Sequence, residues 1–158
     1  MRLETRTLYQ FDELNEDAQQ KALEDARRWY EFGWCAEYRQ SLLAFCDEFG
    51  VTMKDWRTGP WENPDYSHNA ENSHFRGRKL REFNPERMPT GFCADCELWG
   101  TFYREFKRTG DPKGAFDSAL WEFFKAWAAD WEDSLSDEQL GEYLQANGHE
   151  YTEDGEGV

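Results

Sequence analysis

Lys113-Gly114-Ala115-Phe116-Asp117-Ser118-Ala119-Leu120-Trp121-Glu122-Phe123-Phe124-Lys125-Ala126-Trp127-Ala128-Ala129-Asp130-Trp131-Glu132-Asp133 is the stretch that decides the fold. Phe116, Leu120, Phe123, Trp127 and Trp131 recur at helical spacing, and Ala119, Phe124 and Ala128 widen that stripe. Asp117, Glu122, Lys125, Glu132 and Asp133 fall on the opposite face. Apolar residues repeating every three or four positions mark a helix with one buried side. This helix is expected over 113–133, with its aromatic stripe packed against other helices. Trp29, Trp121, Trp127 and Trp131 all sit at helical spacing and are expected in the core.

C-terminal to it, Ser136-Asp137-Glu138-Gln139 is a capping box that opens a last helix through about Ala146. Asn147-Gly148 supplies its stop, His149-Glu150-Tyr151-Thr152 reads as a closing strand, and residues 153–158 as a frayed acidic tail. N-terminal to it, Gly110-Asp111-Pro112 breaks a helix expected over 95–108. Asn15 caps a helix over about 16–31, in which Ala18, Ala22 and Ala26 repeat every four residues. Tyr38, Leu42, Phe45 and Phe49 mark another helix over 35–49, closed by Gly50. Strands are expected over 3–11, 51–56 and 73–83, the last with a basic stripe at 76, 78, 79 and 81. Residues 57–72 and 84–91, rich in Pro and Asn, read as loops. The sum is a helix-rich α+β domain over 1–152, with a small, mostly antiparallel sheet built from the termini and the middle strands.

The 158 residues hold 18 Lys+Arg and 33 Asp+Glu, a formal charge of −15. Residues 113–158 carry 2 basic and 12 acidic side chains, so two thirds of the excess lies in the last 46 residues. A field of that sign repels nucleic acid and anionic membrane and attracts basic protein surfaces. Aromatic residues make up 17 % of the chain, which argues against a wholly disordered acidic protein. No run approaches the roughly 20 apolar residues that cross a bilayer. The stretch Met1-Arg2-Leu3-Glu4-Thr5-Arg6 lacks the apolar segment of a secretory signal, so a soluble cytoplasmic protein is expected.

Cys93-Ala94-Asp95-Cys96 is a lone C-x-x-C, and Cys35 and Cys46 lie eleven apart in a helical stretch. A zinc site draws on four soft ligands, often as two close pairs, and only one such pair occurs. His68 and His74 with Cys93 and Cys96 are loosely compatible with a Cys₂His₂ site, and a zinc-binding module on those four residues is one alternative. The expectation is nonetheless free thiols, no metal and no cofactor. A thioredoxin-type pair calls for a preceding strand and an opening helix, and Met88-Pro89-Thr90-Gly91-Phe92 is not a strand.

Both ends of the chain carry a recognisable pattern. The opening is Tyr9-Gln10-Phe11-Asp12-Glu13-Leu14-Asn15-Glu16-Asp17-Ala18-Gln19-Gln20-Lys21-Ala22. The close runs from Leu135-Ser136-Asp137-Glu138 to Leu144-Gln145-Ala146-Asn147-Gly148-His149-Glu150-Tyr151-Thr152-Glu153-Asp154-Gly155. Together they resemble a family of small acidic proteins encoded by tailed bacteriophages and prophages. That family opens on Y-x-F-D-E-L-S-x-E-A-x-x-K-A and closes on L-x-A-N-x-x-E-F-T-E-D-G. It tends to carry a Gly/Ser/Gln-rich loop between two strands, whereas residues 56–75 here are rich in Asn, Pro and His. The resemblance implies a phage context and a role against host systems.

None of G-x-S-x-G, H-E-x-x-H or G-x-x-x-x-G-K-[ST] occurs, so a binding protein is expected rather than an enzyme. The leading expectation is an inhibitor of a bacterial defence complex, of anti-CRISPR or anti-restriction type. It would act as a nucleic-acid mimic, occupying a basic groove built to hold phosphates. Asp130, Glu132, Asp133, Asp137, Glu138 and Glu142 are expected to crowd around one helix junction as the binding face. Trp56 and Trp61 flank the Pro/Asn loop and are candidate contact residues, as is Trp34 after Gly33; loop packing is the competing role. The alternative is an antitoxin-like or regulatory phage protein that masks a basic partner.

Overall fold

The computed structural model describes residues 5–158. It is a helix-rich α+β protein, with five α-helices and two separate antiparallel two-stranded sheets among the described residues. The chain divides into two compact units, one formed by Met1–Phe32 with Asp133–Val158 and the other by Gly33–Glu132.

The first unit joins the two ends of the chain. Strand β1 (Tyr9–Gln10) leads through a 3-10 turn at Phe11–Glu13 into α1 (Glu16–Trp29). The Asn15 side chain accepts the Ala18 N–H at 2.9 Å, satisfying one of the amides a helix start leaves open. Ala18, Ala22 and Ala26 are buried on one face of α1, small enough to let a second helix come close. That partner is α5 (Asp137–Ala146), which contributes Leu140 and Leu144 to a core shared with Phe11, Leu14, Leu23 and Tyr151. Gly141 faces the Phe11 ring, and a Cβ there would stand 3.0 Å from a ring carbon. Ser136 caps α5, accepting the Gln139 N–H at 3.3 Å as the capping box predicts. Strand β4 (Glu150–Tyr151) then pairs with β1, Tyr9 opposite Tyr151.

The frayed tail expected over 153–158 is instead folded back. Gly155 N–H donates to Thr152 O and Val158 N–H to Glu150 O, and Tyr151 bridges to Gly157. Lys21 on α1 reaches Asp154 and Glu156, each at 3.3 Å. Gly155 has φ +83°, and a Cβ there would lie 2.2 Å from the Ala18 carbonyl oxygen. The tail is held because backbone groups and one lysine give its polar residues partners.

The second unit holds α2 (Cys35–Glu48), the hairpin β2 (Met53–Arg57) and β3 (Asp65–His68), α3 (Ala94–Thr109) and nearly all of α4 (Pro112–Ser134). Its core is aromatic. Phe45 stacks on Phe116 at 5.2 Å and meets Trp99 edge-on at 4.9 Å, while Phe49, Phe75, Phe83 and Phe102 close around them. Offset and edge-to-face rings are the favoured arrangements of their quadrupoles. Strand β3 lies inside the expected loop over 57–72. Tyr66 and His68 alternate inward along it, against Phe124 at 4.8 Å and Phe116 at 5.6 Å. The strand expected over 73–83 is instead two 3-10 turns, Asn72–Phe75 and Leu80–Glu82, because Phe75 and Phe83 both turn inward and the chain between them must curl. The strand expected over 3–11 shrinks to Tyr9–Gln10 among the described residues; positions 3 and 4 lie outside them.

Of the basic stripe, Arg78 points inward. It donates to Glu48 Oε1 at 2.9 Å, and Arg87 donates to Oε2 at 3.1 Å. Arg78 also lies over the Phe49 and Phe83 rings, and Arg87 over Trp99. Burial by itself would raise the Glu48 carboxyl, but the two guanidiniums outweigh it and hold it below the usual carboxylate range.

Candidate functional site

Charge is divided unequally between the units. Residues 5–32 and 133–158 carry 4 basic and 15 acidic side chains, a net of −11, whereas residues 33–132 carry 13 and 17, a net of −4. Lys21 and Arg27 are engaged within the first unit. Lys21 is tied to the tail carboxylates, and Arg27 pairs with Asp137 and donates to the Leu135 carbonyl at 3.0 Å. Arg27, helped by Gln20 at 3.2 Å, holds the Asp137 carboxyl below its ordinary range.

Three of the six carboxylates expected at the helix junction, Asp130, Glu132 and Asp137, are held by partners within their own units. Asp130 accepts from the Tyr38 hydroxyl and Glu132 from the Trp61 backbone N–H, both within the second unit. Asp133, Asp137, Glu138 and Glu142 belong to the first. Asp137 is engaged as described, which leaves Asp133 and the α5 pair Glu138 and Glu142, one helical turn apart, as exposed carboxylates. Carboxylates from the N-terminal end, which the sequence pattern does not single out, join them in that unit. Asp12, Asp17, Glu24, Asp25 and Glu31 are exposed in the same unit. The signal for them was the pairing of the two terminal strands, which folds both acidic ends of the chain into one body.

The tryptophans divide in a similar way. Trp61 is 71 % exposed with φ 59°, and Trp34 is 61 % exposed at the start of α2. Trp56 is half-buried in β2 beneath the Arg39 guanidinium, 5.7 Å from its ring centre. Trp127 is buried and Trp131 half-buried, but Trp29 and Trp121 are exposed, contrary to expectation. Trp121 follows Leu120 by one residue, and so turns about 100° off the buried stripe. Trp29 sits at the last turn of α1, where its ring rests on His149 at 5.4 Å. An open cleft of about 330 Å³ beside it is lined by Asp25, Trp29, His149 and Glu150.

His68 and His74 are both committed to local bonds. The Nδ1 of His68 accepts the Ala70 N–H and that of His74 the Glu71 N–H, each at 3.0 Å. Cys93 and Cys96 are exposed at the start of α3, Cys35 is half-buried and Cys46 is buried. Burial pushes the Cys46 thiol up to about 12. Among the described residues, no three His, Cys, Asp or Glu side chains come together as a metal site, so the fold does not assemble the Cys₂His₂ set.

Comparison with known proteins finds no matching family model, no matching curated protein and no matching solved structure. Among the described residues no helix is long and apolar enough to cross a membrane.

Proposed function

We propose that the chain is a binding protein that uses the acidic unit built from its two ends to occupy a basic protein surface. The observation that carries this reading is the net charge of −11 on that unit, with Lys21 and Arg27 already spent on internal partners. Surfaces that hold phosphates are lined with Lys and Arg, so a dense carboxylate field competes for them and is steered to them over a distance. The resemblance of both chain ends to small phage proteins supports a host defence complex that handles nucleic acid as the target, in the bacterial cytoplasm.

The test uses the tagged protein to capture its partner from a bacterial host, followed by association kinetics as salt is raised. Asp133→Asn, Glu138→Gln and Glu142→Gln together remove three exposed charges at nearly constant shape. Asp137 is left intact because it anchors Arg27. Slower association of the triple variant, with the gap closing at high salt, is the expected result. Equal binding of variant and parent at all salt concentrations would count against the acidic surface and turn attention to exposed Trp61. A single small basic toxin as the captured partner would favour the antitoxin-like reading.

A further inference from the structure

The start of α3 presents two thiols in an arrangement that the charge of the protein does not explain. Cys93 is the cap residue of the helix, yet its backbone is already helical (φ −58°, ψ −25°). The Cys96 N–H donates to the Cys93 carbonyl at 3.0 Å, so the turn that joins them is closed. A rise of about 1.5 Å and a rotation of about 100° per residue place helical positions three apart at a Cα separation of about 5 Å. Disulfides need about 4.4–6.8 Å. Both thiols are free and exposed.

The residue between them anchors the turn. Asp95 is fully buried, and its Oδ2 accepts from the Thr90 N–H at 2.9 Å and the Thr90 hydroxyl at 2.8 Å. The Thr90 hydroxyl in turn lies 3.1 Å from that of the buried Ser41 on α2. With Asp95 fixed inward, its neighbours at 93 and 96 remain outward on one turn. The other two cysteines have no such relation to each other. Cys35 and Cys46 are eleven residues apart on α2, about 16 Å along the axis.

We propose that Cys93 and Cys96 form a reversible dithiol–disulfide site that exchanges with low-molecular-weight disulfides of the glutathione type. One cysteine thiolate attacks a sulfur of the small disulfide and expels one small thiolate, leaving a mixed disulfide on the protein. The second cysteine, its proton lost to water, attacks the protein-bound sulfur and releases the second small thiolate. The protein dithiol is thereby oxidised by two electrons and the small disulfide reduced to two thiols. This site lies in the second unit and does not depend on the acidic-surface reading.

The experiment equilibrates the full chain in glutathione buffers running from fully reduced to fully oxidised. Remaining thiols are then trapped by alkylation after unfolding, and masses and cross-linked peptides are measured. The expected product is a monomer with alkyl groups on Cys35 and Cys46 alone, two hydrogen atoms lighter than that doubly alkylated chain would be with a free dithiol, and with the cross-link between residues 93 and 96. Cys93→Ser and Cys96→Ser should each stop at one bound glutathione on the remaining cysteine, and full reductant should restore the dithiol in the parent. Accumulation of glutathione adducts on the parent without a cross-link would overturn the proposal. So would a cross-link between chains, or a dithiol still intact in fully oxidised buffer. The measurement on the parent needs no substitution, and a circular dichroism spectrum shows whether each serine variant is folded.

Discussion

Gly155 is the residue on which the most backbone geometry converges. Its φ of +83° suits only glycine, and the Ala18 carbonyl fills the space a methyl would need. Gly155→Ala should therefore cost about 1–3 kcal/mol, read as a shift of the urea midpoint. Gly33, with open space around it, is the control, and its alanine variant should stay within about 0.5 kcal/mol. Glu48 makes a second residue-level case. Its folded carboxyl is depressed by Arg78 and Arg87, so its contribution is present above the ordinary carboxylate range near 4.3 and is lost as pH falls through the lower folded value. Glu48→Gln, which takes the carboxylate from Arg87 and leaves Arg78 with Glu82 alone, should cost about 1–3 kcal/mol at neutral pH. The gap between parent and variant should shrink on acidification below pH 4, and a constant gap would show that the charge is not the stabilising feature. Neither role was legible from sequence. Arg78 read as one of four basic residues on a strand, and only the curl between Phe75 and Phe83 turns it toward Glu48.

The elements whose periodicity was unbroken were legible. Residues 113–133 read as a helix, and α4 runs Pro112–Ser134; Asn15 and Ser136 each cap the helix their side chains predict. Within α4 the burial pattern separates two tryptophans that composition alone treats as equal. Trp127 is 4 % exposed and packs on Tyr38 at 5.2 Å, whereas Trp121 is 41 % exposed. Trp127→Ala should cost about 3–5 kcal/mol in chemical unfolding, and Trp121→Ala under about 0.5 kcal/mol. Similar losses at both positions would contradict the orientation of the stripe. What failed was the short elements. Asp65-Tyr66-Ser67-His68 is too brief to announce itself among prolines and asparagines, and it becomes a strand only because Phe116 and Phe124 receive its two rings. Residues 153–158 looked loose because their partners, Ala18 and Lys21, stand more than a hundred positions earlier in the chain.

At the scale of the molecule, the candidate acidic face was legible as a quantity and not as a place. Counting gave an excess at the C-terminal end, but the fold adds the N-terminal carboxylates to it and ties up Asp130, Glu132 and Asp137. A unit at −11 with few cations repels itself, and added salt screens that repulsion. Its unfolding midpoint in urea should accordingly rise between low ionic strength and about 0.5 M sodium chloride, and a fall would mean that its few ion pairs outweigh the repulsion. The way the units are threaded also sets an order of events during synthesis. Gly33–Glu132 is a continuous stretch, able to close its aromatic core as soon as α4 has emerged from the ribosome. The acidic unit has to wait for α5 and β4, since Leu140, Leu144 and Tyr151 complete the core begun by Phe11 and Ala18. A nascent chain therefore carries half of that unit unpartnered throughout translation of the middle, and the core of the unit closes late and all at once, when residues 137–158 have emerged.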